Sequence, residues 1–220
     1  MSTINLHNMD CMNVMKDYED NQFDLAIIDP PYGIPKSWDG AGKLKNRIIQ
    51  KQTKQLKKWD IAPKKEYFDE LFRVSKNQII WGGNYFDLPP TRGIICWDKV
   101  QPFPNFSAWE MAWTSFNVVA RIYKFDNRTS DKIHPTQKPV KLYEWLLTNY
   151  AKDGDKILDT HLGSGSIAIA CDNLGYDLEG YELDKDYYEA AISRLKEHKS
   201  KLKLFDIKEL VPRYEQEAFA

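Results

Sequence analysis

Short apolar runs alternate with amphipathic stretches along most of this chain. Residues 25–28 (Leu-Ala-Ile-Ile) are uninterrupted apolar positions, the pattern of a strand buried on both faces, and Pro30 and Pro31 end it. Before it, residues 3–8 read as a short strand and residues 12–18 as a short helix, with Met9, Asp10 and Cys11 between them. Residues 63–75 place Tyr67, Phe68, Leu71, Phe72 and Val74 on one helical stripe behind a proline in the first turn. Residues 78–81 form a strand ended by Gly82-Gly83-Asn84, and 93–97, 109–116 and 118–125 are three more strand-like runs. With no helix between them, these runs predict antiparallel pairing at one sheet edge. The C-terminal part returns to alternation: helix 140–151, strand 156–159, helix 167–174 stopped by Gly175, strand 177–181, and an amphipathic helix 187–199.

That order predicts an α/β three-layer domain with a mixed, mostly parallel sheet. A chain of 220 residues fits one domain spanning 1–220. The net charge of −1 gives no global argument for a nucleic-acid partner, so any basic surface must be local. Cys11, Cys96 and Cys171 are widely spaced without CxxC pairs. Neither a disulfide framework nor a metal site is indicated, and a cytoplasmic setting is expected. No apolar run approaches the ~18 residues of a membrane span, and the N-terminus lacks the pattern of a secretion signal.

The chemistry concentrates where strand 25–28 stops, at Asp29-Pro30-Pro31-Tyr32-Gly33. A stiff turn with a surface tyrosine is the bland reading. An acid, two prolines and an aromatic also suit an exocyclic amine on a flat ring. The Asp29 carboxylate accepts one N–H, and the Pro30 carbonyl, fixed by the prolines, accepts the other. Tyr32 offers a face for a heteroaromatic base. Two acceptors would draw the nitrogen lone pair out of conjugation and aim it at an electrophile.

A second centre follows strand 156–159, at Asp159-Thr160-His161-Leu162-Gly163-Ser164-Gly165. The glycines let the backbone approach a ligand, and the next helix opens with free N–H groups. Glu182 lies 23 positions beyond Asp159, a spacing at which an acid can take ribose hydroxyls. Gly163-x-Gly165-x-x-Ala168 also fits a nicotinamide-dinucleotide fingerprint. Two features count against a dehydrogenase: the first glycine lies well past the strand end, and Asp159 would repel a pyrophosphate while suiting a cationic cofactor.

At Asp29-Pro30-Pro31-Tyr32 the chain resembles the DNA amino-methyltransferases that modify adenine N6 or cytosine N4 with S-adenosylmethionine. The Asp-Pro-Pro-Tyr form looks more like the adenine-N6 members. His134-Pro135-Thr136-Gln137-Lys138-Pro139, on its own a proline-led helix start, is nearly identical to a segment that in this family lines the methionine end of the cofactor. The order of parts, catalytic turn first and glycine loop last, is that of the family's circularly permuted β class. The resemblance implies a Rossmann-like methyltransferase fold with seven strands and the strands ending at Asp29 and Asp159 as central neighbours. It implies Asp29, Pro30, Pro31 and Tyr32 as catalytic residues. It further implies a cofactor site of Asp10, Cys11, Asp29, His134, Pro135, Thr136, Lys138, Asp159, His161, Gly163, Ser164, Gly165 and Glu182. Thr136 would supply a hydroxyl and Lys138 a cation for the cofactor carboxylate. His161 stands where these enzymes more often have Phe, and Asp10 reads equally well as a helix cap.

Directly behind the catalytic turn, from Gly40 to Trp59, the chain carries seven basic residues and no acid. A solvated helix face is the usual meaning of such a run. Its position makes Lys43, Lys45, Arg47 and Lys51, within insert 34–60, the expected contact to double-stranded DNA. The implied activity is methyl transfer to an adenine N6 flipped out of the duplex, in the setting of DNA modification and restriction–modification. A homodimer is consistent with the class. Cytosine-N4 methylation stays open beside it, as do an RNA substrate and a catalytically inactive DNA-binding relative.

Overall fold

The computed structural model describes residues 2–33, 61–101, 107–126 and 137–200. Insert 34–60, with Lys43, Lys45, Arg47 and Lys51, and the segment His134, Pro135 and Thr136 lie outside the described residues. The elements follow in the order β1 (Ile4–Asn8), α1 (Met12–Met15), β2 (Phe23–Ile28), α2 (Lys65–Val74), β3 (Ser75–Trp81) and a 3₁₀ turn (Gly83–Tyr85). Then come β4 (Ile94–Asp98), β5 (Trp109–Thr114), β6 (Arg121–Lys124), α3 (Val140–Tyr150), β7 (Lys156–Asp159), α4 (Ser166–Leu174), β8 (Asp177–Glu182) and α5 (Lys185–Ser200).

One sheet joins the strands in the order β1-β8-β7-β2-β3-β5-β4-β6. Among the described residues it has eight strands, not the seven implied by family resemblance. All eight apolar runs of the sequence enter it. The five strands from β1 to β3 are mutually parallel. β5 pairs antiparallel with β3 and β4, as the helix-free stretch predicts. The outermost strand, β6, instead runs parallel to β4, and it is shorter than the 118–125 run from which it comes.

Side-chain alternation along the central strands builds the layers. Leu25 and Ile27 of β2, Ile79 and Trp81 of β3 and Ile157 of β7 face one core, filled by Leu142, Trp145 and Leu146 of α3 and Ile167 and Ala170 of α4. Ala26, Ile28, Ile80 and Leu158 face the other, filled by Met15 of α1 and Tyr67, Phe68, Leu71 and Val74 of α2. β2 is thus covered on both faces, which is why its sequence is a run and not an alternation.

Two boundaries differ from the sequence pattern for identifiable reasons. α1 stops at Met15, where the chain turns: the Met15 carbonyl accepts the Tyr18 N–H at 3.1 Å, and Arg73 donates to the Met15 and Tyr18 carbonyls, both at 2.7 Å. α2 passes without a loop into β3. Ser75 is extended (φ −129°, ψ 138°), and its hydroxyl donates to the Leu71 carbonyl at 2.6 Å, closing the helix.

Because β1, β8, β7, β2 and β3 are parallel, their carboxyl ends share one edge. That edge carries Asp10, Asp29, Trp81, Asp159 and Glu182, the place where open α/β sheets bind ligands. No described helix is long and apolar enough to cross a membrane.

Candidate active site

β2 delivers Asp29 to this edge, with Pro30 buried behind it. The Tyr32 hydroxyl donates to Asp29 Oδ1 at 2.7 Å. The Tyr32 ring stacks on Tyr85, with centroids 4.9 Å apart and planes at 16°, and meets Phe86 edge-on. Tyr85 is 49% exposed. Gly82 makes the packing of Tyr32 possible. Its φ is +67°, and a Cβ there would lie 2.2 Å from Tyr32 Cε1. Burial, and then the Asp29 charge, raise the Tyr32 phenol well above its ordinary range, so it stays a donor.

The other Asp29 oxygen, Oδ2, holds the Lys138 ammonium. Lys138 stands just ahead of α3 and its side chain is only 2% exposed. It also reaches Glu110 Oε2 of β5 at 3.2 Å and lies over the Trp81 ring, 5.1 Å from a centroid. Glu110 Oε1 in turn accepts from Lys99. Burial alone would lower the Lys138 pKa, but Asp29 and then Glu110 outweigh it and hold the group charged. Glu110 would be raised by burial, yet Lys138 and Lys99 keep it below the usual carboxylate range.

β7 brings Asp159 to the same edge, one strand from Asp29 and 2% exposed. Its Oδ1 accepts the His161 N–H at 2.9 Å. Burial is the main cause that pushes its carboxyl up to about 8, with the charges of Asp29 and Glu182 adding and the His161 N–H opposing. The unfolded value is ~3.9. The native state therefore holds a proton that the unfolded chain has lost, and stability falls as pH rises from ~4 through the folded pKa near 8. Asp159→Asn should raise the melting temperature, by an increment that grows across that window and levels off above it. Scanning calorimetry from pH 5 to 9 measures this.

The glycine loop continues from Asp159. Gly163 donates its N–H to Glu182 Oε2 at 2.7 Å, and Asp184 N–H takes Oε1 at 2.9 Å. Burial raises the Glu182 carboxyl against these two N–H groups. Gly165 sits at φ +69° with an ideal Cβ 3.0 Å from that of Ala191, so α4 starts close against α5. Ser164 and Ser166 are buried, with the Ser164 carbonyl and Ser166 hydroxyl both accepting from Arg194 at 2.9 Å. His161 is partly buried and neutral: desolvation lowers its pKa to about 4. Its Nδ1 lies 3.0 Å from the Thr160 hydroxyl, which meets the Tyr67 hydroxyl at 2.5 Å.

Asp10 accepts the Met12 N–H at 2.9 Å, a local turn bond ahead of α1, whose N-cap is Cys11, and is otherwise exposed. Cys11 is 7% exposed, and burial pushes its thiol up to about 12, which leaves it no reactivity as a thiolate. Among the described residues no group of three or more His, Cys, Asp or Glu could hold a metal ion.

Asp29, Tyr32, Lys138, Asp159, His161, Gly163 and Glu182 thus come from four separate stretches to one sheet edge. Sequence reasoning missed Glu110, Lys99, Tyr85 and Trp81. A lone acid inside the otherwise uncharged strand Trp109–Thr114 was the available signal for Glu110.

The family model described as DNA methylase, of the N6/N4 methyltransferase type, matches residues 41–193. The match takes in Glu110, Lys138, Asp159, the glycine loop and Glu182, and begins after the Asp29–Tyr32 turn. The type II methyltransferase M2.MboI of Moraxella bovis is 26% identical over 88% of this chain and 88% of its own length. The solved M1.HpyAVI–SAM complex superposes with a TM-score of 0.59 at 19% identity, covering 88% of this chain and 99% of that one. The PvuII DNA methyltransferase, cytosine-N4-specific, gives 0.59 at 12% identity, covering 90% and 92%. These two likenesses show the shared α/β fold. With the family model spanning most of its length, the chain belongs to the N6/N4-type DNA methylase family.

Proposed function

We propose that this chain transfers a methyl group from S-adenosylmethionine to N6 of an adenine in double-stranded DNA. One observation carries the reading. Asp29 and Asp159 end neighbouring parallel strands, so an amine acceptor and an acidic glycine loop open on one edge.

The residues around the loop fit the cofactor. Glu182 is an acceptor suited to ribose hydroxyls, and Asp159, which holds its proton up to about pH 8, would ionise beside a cationic ligand. The Glu182 carboxylate takes the N–H groups of Gly163, Asp184 and Leu183, which leaves at least one of its four lone-pair sites for a ligand. Asp10, Cys11, His161, Ser164 and Gly165 complete the wall, with His134, Pro135 and Thr136 ahead of Lys138. When bound, the cofactor supplies an electrophilic methyl group on a sulfonium.

This chain's own part is orientation. Asp29 accepts one N–H of the target amine and the Pro30 carbonyl the other, while Tyr32 and the half-exposed Tyr85 offer aromatic faces. Flipping the base costs a few kcal/mol, which contacts to the base and the DNA backbone offset. Lys43, Lys45, Arg47 and Lys51 are proposed to supply phosphate contacts. The cytosine-N4 alternative would use the same acceptors, and only the product separates the two.

Glu182→Ala should weaken S-adenosylmethionine binding by ~1.5–3 kcal/mol, the range for a hydrogen bond to a charged group. Titration calorimetry measures it. Tight binding of NADH with none of S-adenosylmethionine would overturn the reading.

A further inference from the structure

A row of alternating charges crosses the sheet edge beside the catalytic turn. Lys99, just past β4, binds Glu110 of β5; Glu110 and Asp29 share the Lys138 ammonium; and Asp29 accepts from Tyr32. Lys138 is removed from bulk water, Glu110 is partly buried, and the four charges sum to zero. Asp29 alone of its two anions has a role in the reaction proposed above. Glu110 touches no part of the turn directly, yet it fixes where the ammonium sits.

We propose that Glu110 is a positioning residue for methyl transfer: it anchors the Lys138 ammonium against Asp29 Oδ2, so that Asp29 stays correctly turned to accept the target N–H. This rests on the amino-methyltransferase reading above. The physical reason is competition for a mobile group. A lysine has a flexible stem and three N–H donors. With Asp29 as its one anion, the ammonium would follow Asp29 or leave it. Glu110, held from its far side by Lys99 over the Trp97 ring, gives it a second fixed point. Trp81 of β3 closes the pocket, and Tyr143 of α3 and Asp159 of β7 are the other titratable groups whose charges or hydroxyl bear on this cluster. Glu110 also helps keep Lys138 protonated, since burial works the other way.

Glu110→Gln keeps the shape and removes the charge; Glu110→Asp keeps the charge on a shorter stem. Single-turnover methylation should fall at least ~10-fold in Glu110→Gln and recover partly in Glu110→Asp, with cofactor affinity changed less than ~3-fold. In ¹⁵N-lysine spectra, the pH at which Lys138 loses its proton should drop by at least ~1 unit in Glu110→Gln, a shift that simple loosening would not give. Unchanged melting temperature of Glu110→Asp controls for folding. A Glu110→Gln protein with the wild-type rate and Lys138 titration overturns this proposal while wild-type activity leaves the broader reading standing. A wild type that transfers no methyl group to DNA overturns both.

Discussion

Asp29→Ala should lower single-turnover methylation by at least ~100-fold while leaving S-adenosylmethionine affinity near wild type. Removing one preorganised electrostatic contact to the reacting group typically costs ~2.7–4 kcal/mol of transition-state stabilisation. The role proposed for Asp29 makes it such a contact. It ends a strand buried on both faces, Tyr32 holds one of its oxygens, and Lys138 holds the other. The turn therefore pays little reorganisation when an amine arrives. Glu182 and the glycine loop belong to β7 and β8, so the cofactor side should not feel the change. Rapid-quench measurement under single turnover checks it, and near-wild-type methylation would contradict the role assigned to Asp29.

Lys138→Met should destabilise the fold by ~3–5 kcal/mol at neutral pH, because breaking a buried ion pair from one side leaves the other charges uncompensated. Here two carboxylates share the ammonium; without it Glu110 keeps Lys99 as a cation, while Asp29 keeps only the Tyr32 hydroxyl. The sign with pH follows. In the wild type, Glu110 is held below the usual range, so its contribution is present above the unfolded pKa and is lost as pH falls. In Lys138→Met the orphaned carboxylates are raised, and their cost fades on protonation in acid. The gap between the two proteins should therefore shrink from pH 7 toward pH 4, as urea denaturation at each pH measures. A pH-independent gap would mean that lost packing, not charge, explains the effect.

Much of this architecture was legible from local pattern. The run Leu25–Ile28 and the segment Lys156–Asp159 read as buried strands and prove to be central neighbours, because strands covered on both faces have nowhere else to go. The acids at their tips were legible for the same reason: a charge ending an apolar run must sit at a sheet edge. The strand count was not carried by resemblance: among the described residues the sheet has eight strands, one for each strand-like run of the sequence. The charge row was illegible for a different reason. Lys138, Asp29, Glu110 and Lys99 are joined only by the sheet order β2-β3-β5-β4, which places β5 inside β4. No spacing in the sequence announces that order. Asp10 shows the opposite case, where a local turn and a ligand contact have one sequence signature, and its bond from the Met12 N–H leaves the carboxylate exposed.

The central claim is tested most directly by the product. Double-stranded DNA incubated with the protein and S-adenosylmethionine should, after digestion to nucleosides, yield N6-methyladenine by mass spectrometry, and Asp29→Ala should yield almost none. N4-methylcytosine in its place would contradict the adenine assignment while keeping the amine chemistry, and an unmethylated digest would contradict the account as a whole.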